Sequence, residues 1–207
     1  MVEPGRRFGE KGDVMRVDVA QFRKLPLEVH AILENVPLKD VSAVDLPGGG
    51  PGQTLSDVRA LISTRDLLGA NPVARALFAF RLWLGRVFGW DRPRHDPPQS
   101  SFLSRVAPAL QERSLVQPGT MEGGFRLLYL IEKESLAEIR NATVHAFLCA
   151  ALCERPDGYR LYWAVYVKPM SWLTPLYMAL IEPFRRFIVY PAMLGRIRRA
   201  WTARCKK

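Results

Sequence analysis

The spacing of hydrophobic residues along this chain changes period near its middle, and the change divides it into a mixed first half and a strand-rich second half. In the first half, Pro26 to Glu34 (PLEVHAILE) predicts a short helix. Val36 to Leu46 alternates in part, with Val36, Leu38, Val44 and Leu46 in phase, and predicts a strand. Gly48 to Gln53 (GGGPGQ) must be loop, because glycine and proline at this density suit neither ladder nor helix. Thr54 reads as an N-cap, with Asp57 in the acidic first turn of a helix through Ile62. Asn71-Pro72 repeats the cap-then-proline signal. It opens a helix to about Phe88 whose stripe is Val73, Leu77, Phe80, Leu84 and Phe88.

After residue 124 the period drops to two. Phe125, Leu127, Tyr129 and Ile131 alternate with Arg126, Leu128 and Leu130, and Leu136 to Ile139 is a short neighbour. Thr143 to Cys153 and Tyr159 to Val167 predict longer strands, apolar on both faces. Arg155-Pro156-Asp157-Gly158 joins them and suits a type I turn with a glycine bulge. A three-residue bulged loop pairs Arg155 with Tyr159. It puts His145, Phe147, Cys149 and Ala151 on one face with Leu161, Trp163, Val165 and Val167. A two-residue loop flips the first strand and brings Val144, Ala146, Leu148 and Leu152 there instead. The bulged register is the expectation. Beyond it, Leu173, Leu176, Tyr177, Leu180, Ile181, Phe184, Phe187, Ile188, Pro191, Leu194, Ile197 and Trp201 recur at intervals of three and four. They predict an amphipathic helix over about 172–203, kinked at Pro183 and Pro191.

These elements make an α+β chain: a curved antiparallel sheet packed against a long, kinked C-terminal helix. Residues 1–24 are polar and weakly patterned and are expected to form a flexible arm, leaving one domain over 25–207. The 48% apolar fraction is ordinary for a globular core. No apolar run reaches the eighteen or so residues of a membrane span, and the first thirteen residues lack the apolar centre of a secretory signal. Cytoplasmic residence is the expectation, with peripheral contact at the inner membrane surface as its variant. Cys149 and Cys153, four apart on a strand, lie about 13 Å from each other. That separation is too wide for a disulfide, so both are expected as buried small hydrophobes.

Charge adds a second feature. The net charge is +10, and the stretch from Arg185 to Lys207 carries Arg185, Arg186, Arg196, Arg198, Arg199, Arg204, Lys206 and Lys207 with no acid. Arg185, Arg186, Arg196, Arg198 and Arg199 beside Phe187, Ile188 and Trp201 form a candidate face for an anionic membrane surface. No nucleic-acid reading motif accompanies them.

Three phrases carry a resemblance: ALFAFRLWLGRVFGWD at 76–91, NATVHAFLCAAL at 141–152, and YMALIEPFRRFIVYPAMLGRIRRAW at 177–201. Over roughly residues 25–203 the chain resembles a bacterial family known as domain of unknown function 2867. The resemblance implies a helix-grip fold similar to START and Bet v 1-like proteins, in which sheet and C-terminal helix often enclose an apolar ligand. It supplies no catalytic residue.

The chemistry-bearing residues are few. Gly48 to Thr54 has the glycines of a phosphate loop but no lysine, the three histidines have no zinc spacing, and no serine elbow is present. No metal or cofactor is expected. His145 is the one candidate acid–base group, facing the same space as Trp163 in the bulged register, where it would be the general base of the cyclase- or hydratase-like reaction that the helix-grip resemblance implies. Glu132, Glu134 and Glu138 read as solvated carboxylates near a hairpin. Phe125, Tyr129, His145, Phe147, Trp163, Val165, Trp172, Tyr177 and Phe184 are the expected lining of a pocket for an apolar small molecule or lipid between sheet and helix. Arg140, Asn141 and Lys168 are the polar groups nearby.

Overall fold

A computed structural model describes residues 14–61, 101–140, 144–170, 172 and 174–206. The helix expected after Asn71 and the side group of Asn141 lie outside these residues. Seven strands form one antiparallel, curved sheet: β1 (Met15–Arg16), β2 (Leu38–Pro47), β3 (Met121–Glu122), β4 (Phe125–Leu130), β5 (Glu134–Arg140), β6 (Val144–Arg155) and β7 (Gly158–Pro169). Their order is β1-β2-β7-β6-β5-β4-β3. The two longest strands, β6 and β7, occupy central places, as their apolar character on both faces requires. With the long C-terminal helix on one face, the architecture is α+β and helix-grip-like.

Residues 14–24 belong to this fold rather than to a loose arm. β1 pairs with β2 at the sheet edge. Asp18 then caps α1 (Val19–Arg23), accepting from the amides of Ala20 and Gln21. Phe22 on that helix is fully buried. A two-residue strand and a one-residue anchor leave too little pattern for a periodicity argument to find.

The β6–β7 hairpin closes through two residues, not three. Arg155 pairs with Gly158 and Glu154 with Tyr159. Gly158 lies in the ladder, opposite Arg155 on one side and Pro47 of β2 on the other. Its φ of 139° and the 2.4 Å that would separate an added Cβ from the Leu46 carbonyl oxygen explain the glycine. The third strand approaches too closely for a side chain. The register therefore differs from the bulged expectation. Ala146, Leu148 and Leu152 share the face of Val167, Val165 and Leu161, while His145, Phe147, Cys149 and Ala151 point the other way.

Two bulges shift phase elsewhere. The β2 register slips between Leu38 and Asp40, so Leu38 and Val44 sit on opposite faces rather than in phase. In β4 the slip falls between Leu127 and Tyr129. Leu127 and Leu130 face the C-terminal helix, whereas Leu128 and Tyr129 both face away.

The sheet thus has two covered faces. One carries Phe22, Leu33, Val41, Leu128, Leu136, Phe147, Ala164 and their neighbours. It is covered by α1, α2 (Val29–Ile32), a 3-10 turn at Phe102–Arg105 and α4 (Pro108–Glu112). The other carries Val44, Leu46, Leu152, Leu161 and Val165 under the C-terminal helix and α3 (Leu55–Ala60). On α3, Thr54 and Asp57 form the expected cap in reciprocal form.

The C-terminal helix runs as α5 (Thr174–Phe184), a π turn at Arg185–Val189 and α6 (Tyr190–Cys205). Pro183 and Pro191 do not break it. The Tyr190 amide bonds back to the Arg185 carbonyl, and this widened turn absorbs the donor and the room that Pro191 denies an α-helix. The sheet-facing set is Thr174, Met178, Ile181, Arg185, Tyr190, Leu194, Ile197 and Trp201, steps of three and four with a single step of five across the π turn. The unbroken stripe expected from sequence would bury Leu180 and Phe187, but both are exposed. Further along, Leu194 and Trp201 are 0% exposed. The Trp201 indole donates to the Pro47 carbonyl at 3.0 Å. Gly49 (φ 96°) lies so close over this ring that an added Cβ would stand 2.4 Å from it, which accounts for glycine in that loop.

Candidate functional site

Titratable chemistry concentrates on the face away from the C-terminal helix. Strand β5 places Glu134, Leu136, Glu138 and Arg140 on that side, opposite Ala151, Cys149, Phe147 and His145 of β6. Glu134 and Glu138 are buried, not solvated as expected for carboxylates near a hairpin. A carboxylate out of water must be hydrogen-bonded, and each glutamate meets that need by tying a connecting segment to the sheet.

Glu134 accepts from the amides of Glu28 and Val29, both at 2.9 Å, and from the Tyr129 hydroxyl at 2.6 Å. Burial pushes its carboxyl above the ordinary range, and these three donors only partly offset that. The same burial, with Glu134 beside it, raises the Tyr129 phenol far beyond its usual value.

Glu138 accepts from the Ser101 hydroxyl, from the Phe102 amide at 3.1 Å and from His145 Nε2 at 2.9 Å. Burial works against its charge here too, but His145, Ser101 and the Phe102 amide outweigh it and hold the carboxyl below the ordinary range. An ionised carboxylate only accepts, so Nε2 carries the proton of this bond. Phe102 stacks edge-on against His145, centroids 5.2 Å apart, and Phe147 lies 4.4 Å from the same ring.

Above this dyad opens a pocket of about 190 Å3. Phe102 and Met170 supply its apolar wall, and Ser101, Ser104, Arg105, Arg140, His145 and Lys168 its polar side. Arg105 lies 4.1 Å from the Phe102 ring centroid and Lys168 Nζ 5.6 Å from it. Arg140 is opposite His145 across β5–β6, and His145 is opposite Lys168 across β6–β7. Three basic side chains therefore form one row on neighbouring strands.

The residues expected to line an oily space under the helix do not converge. Tyr129, His145 and Phe147 lie on the far face, and Trp163 and Val165 on the helix face. Phe125 and Phe184 are half-buried. Trp172 is 84% exposed. The Tyr177 side chain lies outside the described residues. The acid–base expectation placed His145 beneath the helix, and the two-residue turn removes it from there. Of the basic residues expected on a membrane-facing surface, Arg185 is instead paired with Asp40 of β2 at 2.7 Å. Arg196 and Arg198 are half-buried, and Arg186 and Arg199 are exposed. Among the described residues no cluster of His, Cys, Asp or Glu suits a metal, and the three cysteines there are free thiols.

Ser101, Arg105, Glu134 and Glu138 are not recognisable as site residues from sequence alone. The parity of Glu134, Leu136 and Glu138 is the one available signal: two acids in phase with a core leucine on a strand share its burial.

No curated protein and no solved structure matches this chain. A family profile described as "Protein of unknown function (DUF2867)" matches residues 32–192, a span that takes in the sheet from β2 to β7, the pocket and the π turn. The chain belongs to that family.

Proposed function

We propose that this protein is a binding module for a small molecule, taken up in the pocket over Glu138 and His145. The observation that carries this reading is the pocket itself: about 190 Å3, more than the ~150 Å3 that accommodates benzene in an engineered cavity, with an aromatic wall and convergent polar groups. The space between sheet and helix, favoured by sequence, has less support, because Leu194 and Trp201 are seated there without residual exposure. The test is native mass spectrometry of freshly purified protein beside Ser104→Trp, whose indole would fill the pocket from an exposed position. A mass excess that appears in the wild type, vanishes in the variant and is recovered by denaturing extraction supports the reading. Identical bare masses for both overturn it.

A second reading is favoured by one specific observation. The step of five in the helix turns Leu180 and Phe187 to solvent, where Phe187 is 69% exposed with the Arg186 guanidinium 5.3 Å from its ring. Trp172 and Val189 are exposed as well. An apolar edge with cations beside it suits the surface of an anionic bilayer. Among the described residues no helix is long and apolar enough to cross one. Sedimentation with phosphatidylglycerol vesicles, absent with phosphatidylcholine, lost in salt and lost in Phe187→Ser, is the expected result. Equal partition with both lipids would sink it.

A further inference from the structure

Building on the binding reading above, we propose that the pocket's ligand is an organic anion, a carboxylate or phosphate ester, whose charged end lies over the Arg140–His145–Lys168 row and whose body lies against Phe102 and Met170. Directly opposed residues on adjacent strands stand about 5 Å apart. Here Arg140 and Lys168 flank His145 from both sides, and Arg105 reaches the same pocket from the 3-10 turn.

The carboxylate beneath the pocket does not answer the charges of Arg105 and Lys168. Glu138 is 5% exposed, and its oxygens are taken by His145, Ser101 and the Phe102 amide. Among the described residues neither Arg105 nor Lys168 pairs with a carboxylate. Both instead stand near the Phe102 ring. Arg105 and Lys168 at a concave site, with Glu138 sealed below them, form a field that an oxyanion complements. Phe102 and Met170 in the pocket wall give the part of the ligand behind that charge an apolar side to lie against. A neutral apolar molecule would use the ring and leave these two cations unanswered.

The test is calorimetric titration of the whole chain with benzoate, phenyl phosphate and uncharged benzamide, and with vesicles containing phosphatidic acid. Benzoate or phenyl phosphate is expected to bind at least about ten-fold more tightly than benzamide. Lys168→Gln and Arg105→Gln, both at exposed positions, are each expected to weaken the anion about ten-fold, and Lys168→Glu to abolish it. Lys24→Gln, remote from the pocket, is expected to change nothing. Unchanged melting temperatures keep the variants interpretable. Binding of phosphatidic acid vesicles with the same Lys168→Glu sensitivity, and none of the free anions, keeps the anion and names a lipid headgroup as its source. Benzamide binding as well as benzoate, indifferent to Lys168→Glu, overturns the anion while leaving a small-molecule pocket. No binding by any anion up to about 10 mM overturns it too, and bare masses for wild type and Ser104→Trp then show that the binding reading has failed with it.

Discussion

Glu134 and Glu138 stand four residues apart on the same face of β5, each buried and each accepting a backbone amide from a distant segment. Glu134 fastens the start of α2, and Glu138 fastens the 3-10 turn at Phe102. Their ionisation nevertheless shifts in opposite directions. Glu134 has a phenol for its third partner and a closed apolar surrounding. Glu138 has an imidazole, a hydroxyl and a cationic pocket overhead. One carboxylate only fastens the fold; the other also underlies the pocket proposed to bind a ligand. Burial alone does not mark a functional carboxylate. The two positions differ in their third partner and in the space above it.

The largest expected effect comes from removing the closed site. Glu134→Leu strands the amides of Glu28 and Val29 and the Tyr129 hydroxyl, each loss costing about 1–3 kcal/mol. Urea unfolding should show a loss of about 3 kcal/mol or more, while ligand affinity in the folded fraction stays put. Glu138→Leu should cost about 1–3 kcal/mol and also weaken ligand binding, since it takes the shared acceptor oxygen from both His145 and the Phe102 amide. Equal effects of the two substitutions on ligand would erase the distinction.

Titration sharpens it. Glu138 is depressed below 4.5, so its contribution is present above that pH and is lost as pH falls through its folded value. Glu134 is raised above 4.5, so its contribution is full below that pH and is lost as pH rises through its folded value. Unfolding midpoints from about pH 3 to 8 should therefore lose their acid slope in Glu138→Gln and their rise toward acid in Glu134→Gln, about one proton in each case. Smaller still, Tyr129→Phe should cost about 1 kcal/mol, read by thermal melting, and Lys168→Gln less than about 0.5 kcal/mol.

Much of the architecture could be read in advance. The cap at Thr54, the strand stretches of the second half, the hairpin at Pro156-Asp157 and the helical spacing after Leu173 all rest on local signals. The failures share one cause. Bulges near Lys39 and Leu128, the two-residue closure at Gly158 and the π turn each shift the parity of the residues beyond them. Gly158 is decided by Leu46, more than a hundred residues earlier. His145, Arg140 and Lys168 were visible as polar residues, but their alignment exists only once three strands are in register. Glu138 was hidden for the same reason, as its partner Ser101 comes from another part of the chain.

The π turn constrains the length of the chain more than its composition. Apart from Arg185, which holds Asp40, a side chain there can be exchanged with little consequence for the rest of the helix. A single residue inserted between Arg185 and Val189 would rotate everything beyond it by about 100°, carrying Leu194, Ile197 and Trp201 off the sheet, whereas one deleted there would close the step of five to the step of four of a plain α-helix. Natural variation in this stretch should therefore tolerate the loss of one residue but not the gain of one.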